Sequence, residues 1–466
     1  MITNFTPNNR DLEIVEPKIT EKNLYNPVGN KKEIEEESIL PKLIKTLRHF
    51  FPDFNEWINE IKEPRSKNIC YTVKSMIYSG LLLFILKLEA TRQLHYSLRR
   101  KKAKHNIVKC FELKEIPHGD SFKNFLKKLP PKELDKIRLK SIRRLLRNKV
   151  FKDMLFLGKY YLIAFDGTEL YKFKERHCSH CLTRTHNGIT EYYHRVLEAK
   201  LILPNGIVIS IETEFIENPG ENVDKQDCER KAFYRLHKKL KRDFPQLSIC
   251  LLLDSLFACQ QVMKICEEQK WKYIINFKEG SIPTVYKELM SLLVMEKNNE
   301  KRCSIDKEFQ ILRWMNDIDY NEYKLCGLTL EKFLQTRQKE SRVRFCWLTN
   351  LVVKQTNCFD IGNYGGRLRW MIENQGFNEQ KNGGYNLEHV YCHDYNAMKN
   401  FYLLLQLGHM INQLLEKGSL VKKELINKLG GIRKITEALK AEFIYSIIDD
   451  ILLQQLLQRK IQIRFT

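Results

Sequence analysis

The sequence predicts an α/β protein in which an all-α region precedes a sheet. Two observations carry the sheet. An apolar, aromatic-rich run over residues 160–168 closes on Asp166-Gly167, and a second apolar run over 248–255 closes in the same way on Asp254. Runs of this length bounded by polar or turn residues read as buried strands, and two that end alike bring two carboxylates to one edge of one sheet. A third observation carries the helices: between residues 39 and 151 the apolar residues recur mostly at helical spacing.

Taken in order, residues 1–35 are polar, contain Pro7, Pro17 and Pro27 and run into the acidic cluster Glu33, Glu35, Glu36 and Glu37, so they read as a poorly ordered leader. Residues 36–155 form the helical region. Here 39–44 opens one helix, 71–100 holds one long helix or two, and His118-Gly119-Asp120-Ser121 reads as a loop and N-cap before a helix over 122–129. Residues 156–415 carry the sheet. Strands over 195–203 and 207–216 flank the hairpin signal Pro204-Asn205-Gly206, and a basic amphipathic helix over 224–244 leads into the Asp254 strand. A helix over 260–269 and a strand over 271–277 follow. From about 280 to 344 the pattern loosens into short strands and one helix, an expected β-rich insertion, before a strand over 345–350 and a helix with Arg369 and Glu373. Two apolar helices, 396–415 and 438–457, are expected to back the sheet, with Gly430-Gly431 breaking the region between them; residues 416–466 make a C-terminal helical region.

The 466 residues exceed what one hydrophobic core usually serves, so two or three domains are expected. A formal charge of +22 points to a polyanion, nucleic acid first, because basic groups set against phosphates release condensed counterions. More than half of that surplus falls in residues 99–150, where 18 Lys and Arg face 5 Asp and Glu, for a net +13. Arg143, Arg144 and Arg147 on this stretch are candidate DNA contacts, the bland alternative being a solvated helix face. The longest apolar run, near residues 80–86, is far shorter than a membrane span of ~20 residues, and no apolar signal-peptide core follows Met1. Thirteen irregularly spaced cysteines argue against a disulfide framework and for a reducing cytoplasm, with the protein associated with the nucleoid.

A third acid completes the pattern. Glu373 lies in a helix with Arg369 one turn before it, 119 positions beyond Asp254, which is itself 88 positions beyond Asp166. Asp, Asp and Glu in this order and spacing resemble the catalytic triad of the DDE transposases, a ribonuclease-H-like superfamily encoded by bacterial insertion sequences, in the branch with a β-rich insertion before the Glu. That branch carries Tyr, Arg, Glu and Lys at fixed spacing. Arg369 and Glu373 match it, whereas Gly366 stands at the Tyr position with Tyr364 displaced, and Gln380 stands at the Lys position with Lys381 one beyond.

The resemblance implies a ribonuclease-H-like catalytic domain with two Mg2+ ions, Mn2+ substituting, held by Asp166, Asp254 and Glu373. It also implies Arg369 and Lys381 as DNA-binding residues, and double-stranded DNA as partner, both terminal inverted repeats and target, engaged by a dimer. The implied activity is cleavage at the repeat ends and strand transfer. Two alternatives stay open: a catalytically inactive, transposase-derived DNA-binding protein, and a ribonuclease-H-like nuclease without strand transfer. Each acid also has a local reading: Asp166-Gly167 fits a turn, Asp254 fits an N-cap, and Glu373 fits an i, i+4 pair with Arg369.

One feature is local to this chain. Cys178 and Cys181 form a Cys-x-x-Cys pair interleaved with His177 and His180, with His186 and His194 nearby and Cys392-His393 far downstream. Thiolates at that spacing supply half of a tetrahedral structural Zn2+ site that imidazoles can complete; free thiols in a loop are the alternative. Asp394 reads as a helix cap, and Trp314 and Trp347 as core residues more readily than as stacking platforms for a base.

Overall fold

Residues 40–147 fold as helices wherever the apolar stripe predicts them. They are α1 (Leu40–Phe50), α2 (Phe54–Asn59), α3 (Val73–Ile85), α4 (Arg92–Leu98), α5 (Lys101–Phe111), α6 (Gly119–Lys128) and α7 (Pro131–Arg147). The structure, a computed structural model, describes residues 38–465 except 68, 222, 306–307 and 336–339. The expected leader over 1–35 lies outside the described residues. Starts are set chemically: Thr72 accepts from the Ser75 amide ahead of α3, His118 Nδ1 accepts from the Asp120 amide ahead of α6, and Pro131 opens α7 at a position that needs no amide donor. The stretch 71–100 is two helices, parted where Lys87 and Glu89 turn the backbone left-handed at φ 47° and 66°.

The sheet has ten strands. β1 (Tyr161–Phe173) pairs antiparallel with β3 (Ile189–Ile202), whose other edge carries β2 (Leu182–His186) and β4 (Val208–Ile216). After α8 (Glu229–Asp243), β5 (Ile249–Leu253) enters parallel to β1 and is buried at every position, as a central strand covered on both faces must be. α9 (Gln260–Glu268) then leads to β6 (Lys272–Asn276), parallel to β5.

The stretch expected to be a β-rich insertion holds one helix, α10 (Pro283–Met295), and strands that continue the same sheet. β7 (Glu300–Ile305), β8 (Glu308–Tyr320), β9 (Tyr323–Gln335) and β10 (Glu340–Thr349) form an antiparallel meander, joined through β10 to β6. β8 and β9 are 13 residues each, not short, because their alternating pattern is diluted by charged cross-strand partners such as Arg313 and Glu331. The order across the sheet is β2-β3-β1-β5-β6-β10-β9-β8-β7, with β4 beside β3.

Helix α11 (358–382) follows and is irregular, passing through a π segment at Ile361–Gly365, a 3-10 turn at Gly366–Trp370 and a second π segment at Ile372–Asn378. It lies close on the sheet because Gly365 and Gly366 have no side chain. A Cβ on Gly366 would stand 2.4 Å from Trp347 on β10, and one on Gly365 2.5 Å from Ile274 on β6. The 23-residue helix α12 (Tyr395–Lys417) begins where Asp394 Oδ1 accepts from the Ala397 amide at 2.9 Å. It is buried at nearly every position from Ala397 to Leu415.

What surrounds α12 is α1, α3, α6 and α7 together with β4, so residues 39–465 make one packed unit in which the early helices and the sheet share α12. Gly80 on α3 and Gly408 on α12 are the points of closest approach: added Cβ atoms would meet Leu404 at 2.6 Å and Phe84 at 2.7 Å. After α13 (Lys423–Lys428), the expected single helix over 438–457 is two, α14 (Arg433–Tyr445) and α15 (Asp450–Gln458). The break is held by the buried Asn106 of α5, whose amide donates to the carbonyls of Phe443 and Ser446 and whose oxygen accepts from Ile448 N. These two helices pack on α1 and α5 rather than backing the sheet. Trp314 and Trp347 are core residues, 4% and 1% exposed.

Candidate active site

Asp166 and Asp254 each lie two residues beyond the last paired position of β1 and β5, Ala164 opposite Leu252, so they leave adjacent parallel strands at the same end. β1 does not stop at Asp166. It continues to Phe173 paired only with β3, so the Asp-Gly step is a point of divergence from β5 and not a turn. Asp254 starts a short 3-10 turn at Ser255–Phe257 without a side-chain cap hydrogen bond.

Helix α11 crosses the sheet, its 3-10 turn against β5 and β6 and its second π segment against β1, β3 and β4. The second π segment, which carries Glu373, packs on β1, the strand of Asp166. Asp254 and Glu373 are both half-buried, and neither carboxylate has a hydrogen-bond or ion-pair partner among the described residues. The i, i+4 pair of Arg369 with Glu373 is not formed; the buried Arg369 guanidinium reaches across to Asp166, Nη1 to Oδ2 at 3.3 Å.

Asp166 Oδ1 accepts from its neighbour's amide, Gly167 N, at 2.9 Å. Burial pushes its carboxyl up to about 6; Arg369 and the Gly167 amide oppose the rise, while Glu229 and Glu373 add to it. Glu229, at the start of α8, packs over Gly167, where a Cβ would be 2.3 Å from its Oε1, and is paired with Arg195. Opposite Asp166 on β3 is the buried Glu198, and two residues along is the buried Lys200. Lys200 Nζ donates to Gln380 Oε1 at 3.1 Å and lies 4.4 Å from the Phe377 ring. Burial draws this ammonium down to about 8, against the pull of Glu198, Glu373 and Asp166.

No local motif marks Glu229, Glu198 or Lys200 in the sequence. Their signal was faint: charged residues at inward positions of otherwise apolar strand and helix faces. Gln380, at the place where the resemblance expects a Lys, is buried and bonded to Lys200, Gln406 and His409. Lys381 instead pairs with Glu388 at 3.0 Å, and Tyr364 is 52% exposed. Of the helical arginines, Arg143 pairs with Asp243 and Arg144 with Asp53, both at 2.9 Å, while Arg147 is exposed.

A second polar cluster lies beyond the far end of β1. His177, Cys178, Cys181 and His194 have ligand atoms within 4.8 Å of one another. His180 is turned away, bonded to the Asn218 carbonyl at 2.8 Å and stacked on Tyr395, and His186 is exposed at the β2–β3 turn. His393, remote in sequence, stands 5.6 Å from the Phe173 ring that covers His177. Burial holds His194 down at about 3 and the Cys178 thiol up at about 11.

No protein-family model matches the chain, and no curated protein matches it. None of the described helices is long and apolar enough to cross a membrane.

Proposed function

We propose that the protein is a DDE-type DNA transposase, a phosphoryl-transfer enzyme that cleaves at terminal inverted repeats and joins the freed 3′ ends to target DNA. The observation that carries this reading is the convergence of Asp166, Asp254 and helix α11, with Glu373, on one end of two adjacent parallel strands. The chain order strand, hairpin, helix, strand, helix, strand supports a ribonuclease-H-like sheet, with β1, β5 and β6 parallel and the hairpin antiparallel. The meander β7–β10 between Asp254 and Glu373 suits the branch with a β-rich insertion.

The donor set suits Mg2+ or Mn2+. It consists of hard carboxylate oxygens, two of the three carboxylates have no partner among the described residues, and the third is faced by a guanidinium. Asp166, Asp254 and Glu373 would hold the ions, and bound metal would supply Lewis-acid activation of the attacking and leaving oxygens. Arg369 offsets the charge of Asp166 and, one helical turn before Glu373, is placed to meet a phosphate oxygen. Lys200 adds a buried positive charge beneath the carboxylates without reaching solvent. Exposed Lys127, Lys128, Lys132 and Arg147 on α6 and α7 offer contacts to the DNA backbone.

The test is incubation with linear duplex carrying the repeats that flank the coding region. Nicks at the repeat ends together with joined products are expected. Binding without cleavage would favour the inactive DNA-binding protein, and cleavage without joining the simple nuclease.

A further inference from the structure

We propose that His177, Cys178, Cys181 and His194 form a tetrahedral Zn2+ site that staples the β2–β3 ribbon to the sheet. The four side chains lie past the end of β1 and share no residue with the carboxylate cluster. Three of the distances are those of a tetrahedron's edges: Cys178 Sγ is 3.5 Å from Cys181 Sγ and 3.5 Å from His194 Nε2, and Cys181 Sγ is 3.7 Å from His194 Nε2. The His177 ring closes the set with its Nδ1 3.4 Å from Cys181 Sγ and its Nε2 3.2 Å from His194 Nε2, and with one ligand atom taken from each residue all four lie within 4.8 Å of one another. With Zn–S near 2.3 Å and Zn–N near 2.0–2.1 Å, a regular site has edges of about 3.8 Å between sulfurs, about 3.6 Å between sulfur and nitrogen and about 3.3 Å between nitrogens. The two sulfurs are too far apart for a disulfide, whose S–S bond is about 2.05 Å, and both cysteines are free. Two thiolates and two imidazoles choose a borderline-soft, tetrahedral ion over Mg2+.

The surroundings complete the site. The Phe173 ring lies 3.9 Å from His177, and Asn218 Nδ2 donates to the Cys181 carbonyl at 2.9 Å while its Oδ1 accepts from Asp227 N at 3.1 Å. A physical need for a staple is visible in the same place. β2 is five residues long and exposed at its last three positions, and a two-stranded ribbon without a covered face is marginal in water. Closing residues 177–181 onto His194 of β3 replaces the missing core with coordinate bonds. Through His180 stacked on Tyr395, the same loop also braces the start of α12.

The test uses the full chain, purified without a histidine tag in metal-scrubbed buffer. Elemental analysis is expected to give one zinc per chain, released by a mercurial in step with two thiols. Replacing it with Co2+ is expected to give the visible absorption of tetrahedral cobalt and thiolate-to-cobalt charge transfer, readouts that need no variant to fold. Cys178→Ser with Cys181→Ser, or His194→Ala, should lose the equivalent, while His393→Ala keeps it. Removing zinc should speed amide exchange over residues 182–193 and leave β5 protected. Absence of zinc with all 13 thiols titrating, a Cys178–Cys181 disulfide, zinc that survives the double Ser variant, or an octahedral cobalt spectrum would each overturn the proposal.

Discussion

The two polar clusters along β1, one at Asp166 within the strand and one past its last residue, differ in how they are assembled. His177, Cys178 and Cys181 come from five consecutive residues and His194 from the strand folded back beside them, so local chain geometry closes the cluster and its ligand atoms touch. Asp166, Asp254 and Glu373 come from two strands and a helix spread over 207 positions; the topology brings the two aspartates to the same end of adjacent strands and packs the helix segment of Glu373 on β1. There the carboxylates stay apart, one against Arg369 and two without protein partners among the described residues. A closed set of soft ligands resists exchange, whereas an open set of hard ones leaves room for substrate.

Breaking one cluster should therefore spare the other. The largest expected effect is on Glu373→Gln, which should lower nicking by about 10³-fold or more with DNA affinity and zinc content unchanged; undiminished nicking in a gel assay would remove Glu373 from the site. Next is Gly366→Tyr, which installs the aromatic that the related pattern carries. With Trp347 where the side chain would begin, it should cost about 3 kcal/mol in denaturant unfolding and lift Glu373 off the sheet, again without loss of zinc.

The third prediction concerns pH. Asp166 is raised from 3.8 to about 6 by burial, so the folded state binds more protons than the unfolded chain between those values. Stability should fall as pH rises through that window and stay lowered above it. In chelator, wild type should lose about 2–3 kcal/mol between pH 4 and 6.5 relative to Asp166→Asn. Mg2+ at pH 7.5 should restore stability to wild type alone, which thermal melts would read. The smallest effect is expected from Asn218→Ala, about 1–2 kcal/mol from the lost buried hydrogen bonds, with easier release of zinc and nicking retained.

How much of this was legible in the sequence follows the same division. The strand closing on Asp254, the apolar start of β1 before Asp166, the Pro204-Asn205-Gly206 hairpin and the Asp394 cap announce themselves because local pattern and tertiary role agree, whereas the run of β1 past Asp166 to Phe173 does not. The choice of His177 and His194 over His180 and His186 was not readable, since it depends on the β1–β3 register that sets Tyr171 opposite His194. Nor was the seat of α11. Gly366 looks like a departure from the related motif until Trp347, 19 positions earlier, occupies the space a side chain needs. Lys200 was hidden for a similar reason, an ammonium in a buried strand whose partner Gln380 is 180 residues away. The break at 446–449 depends on Asn106, more than 330 residues upstream.

Helix α12 has a consequence for how the molecule is made. The early helices α1, α3, α6 and α7 pack against residues 395–417, which leave the ribosome roughly 270 residues after α7 is finished. At about 5–20 residues per second that delay is on the order of 14 to 54 s, during which their greasy faces await the cylinder they enclose. A nascent chain arrested before residue 395 lacks the helix that α1, α3, α6 and α7 enclose, so a shortened product is expected to be a client for chaperones and proteases rather than a free-standing binder that competes with the whole protein.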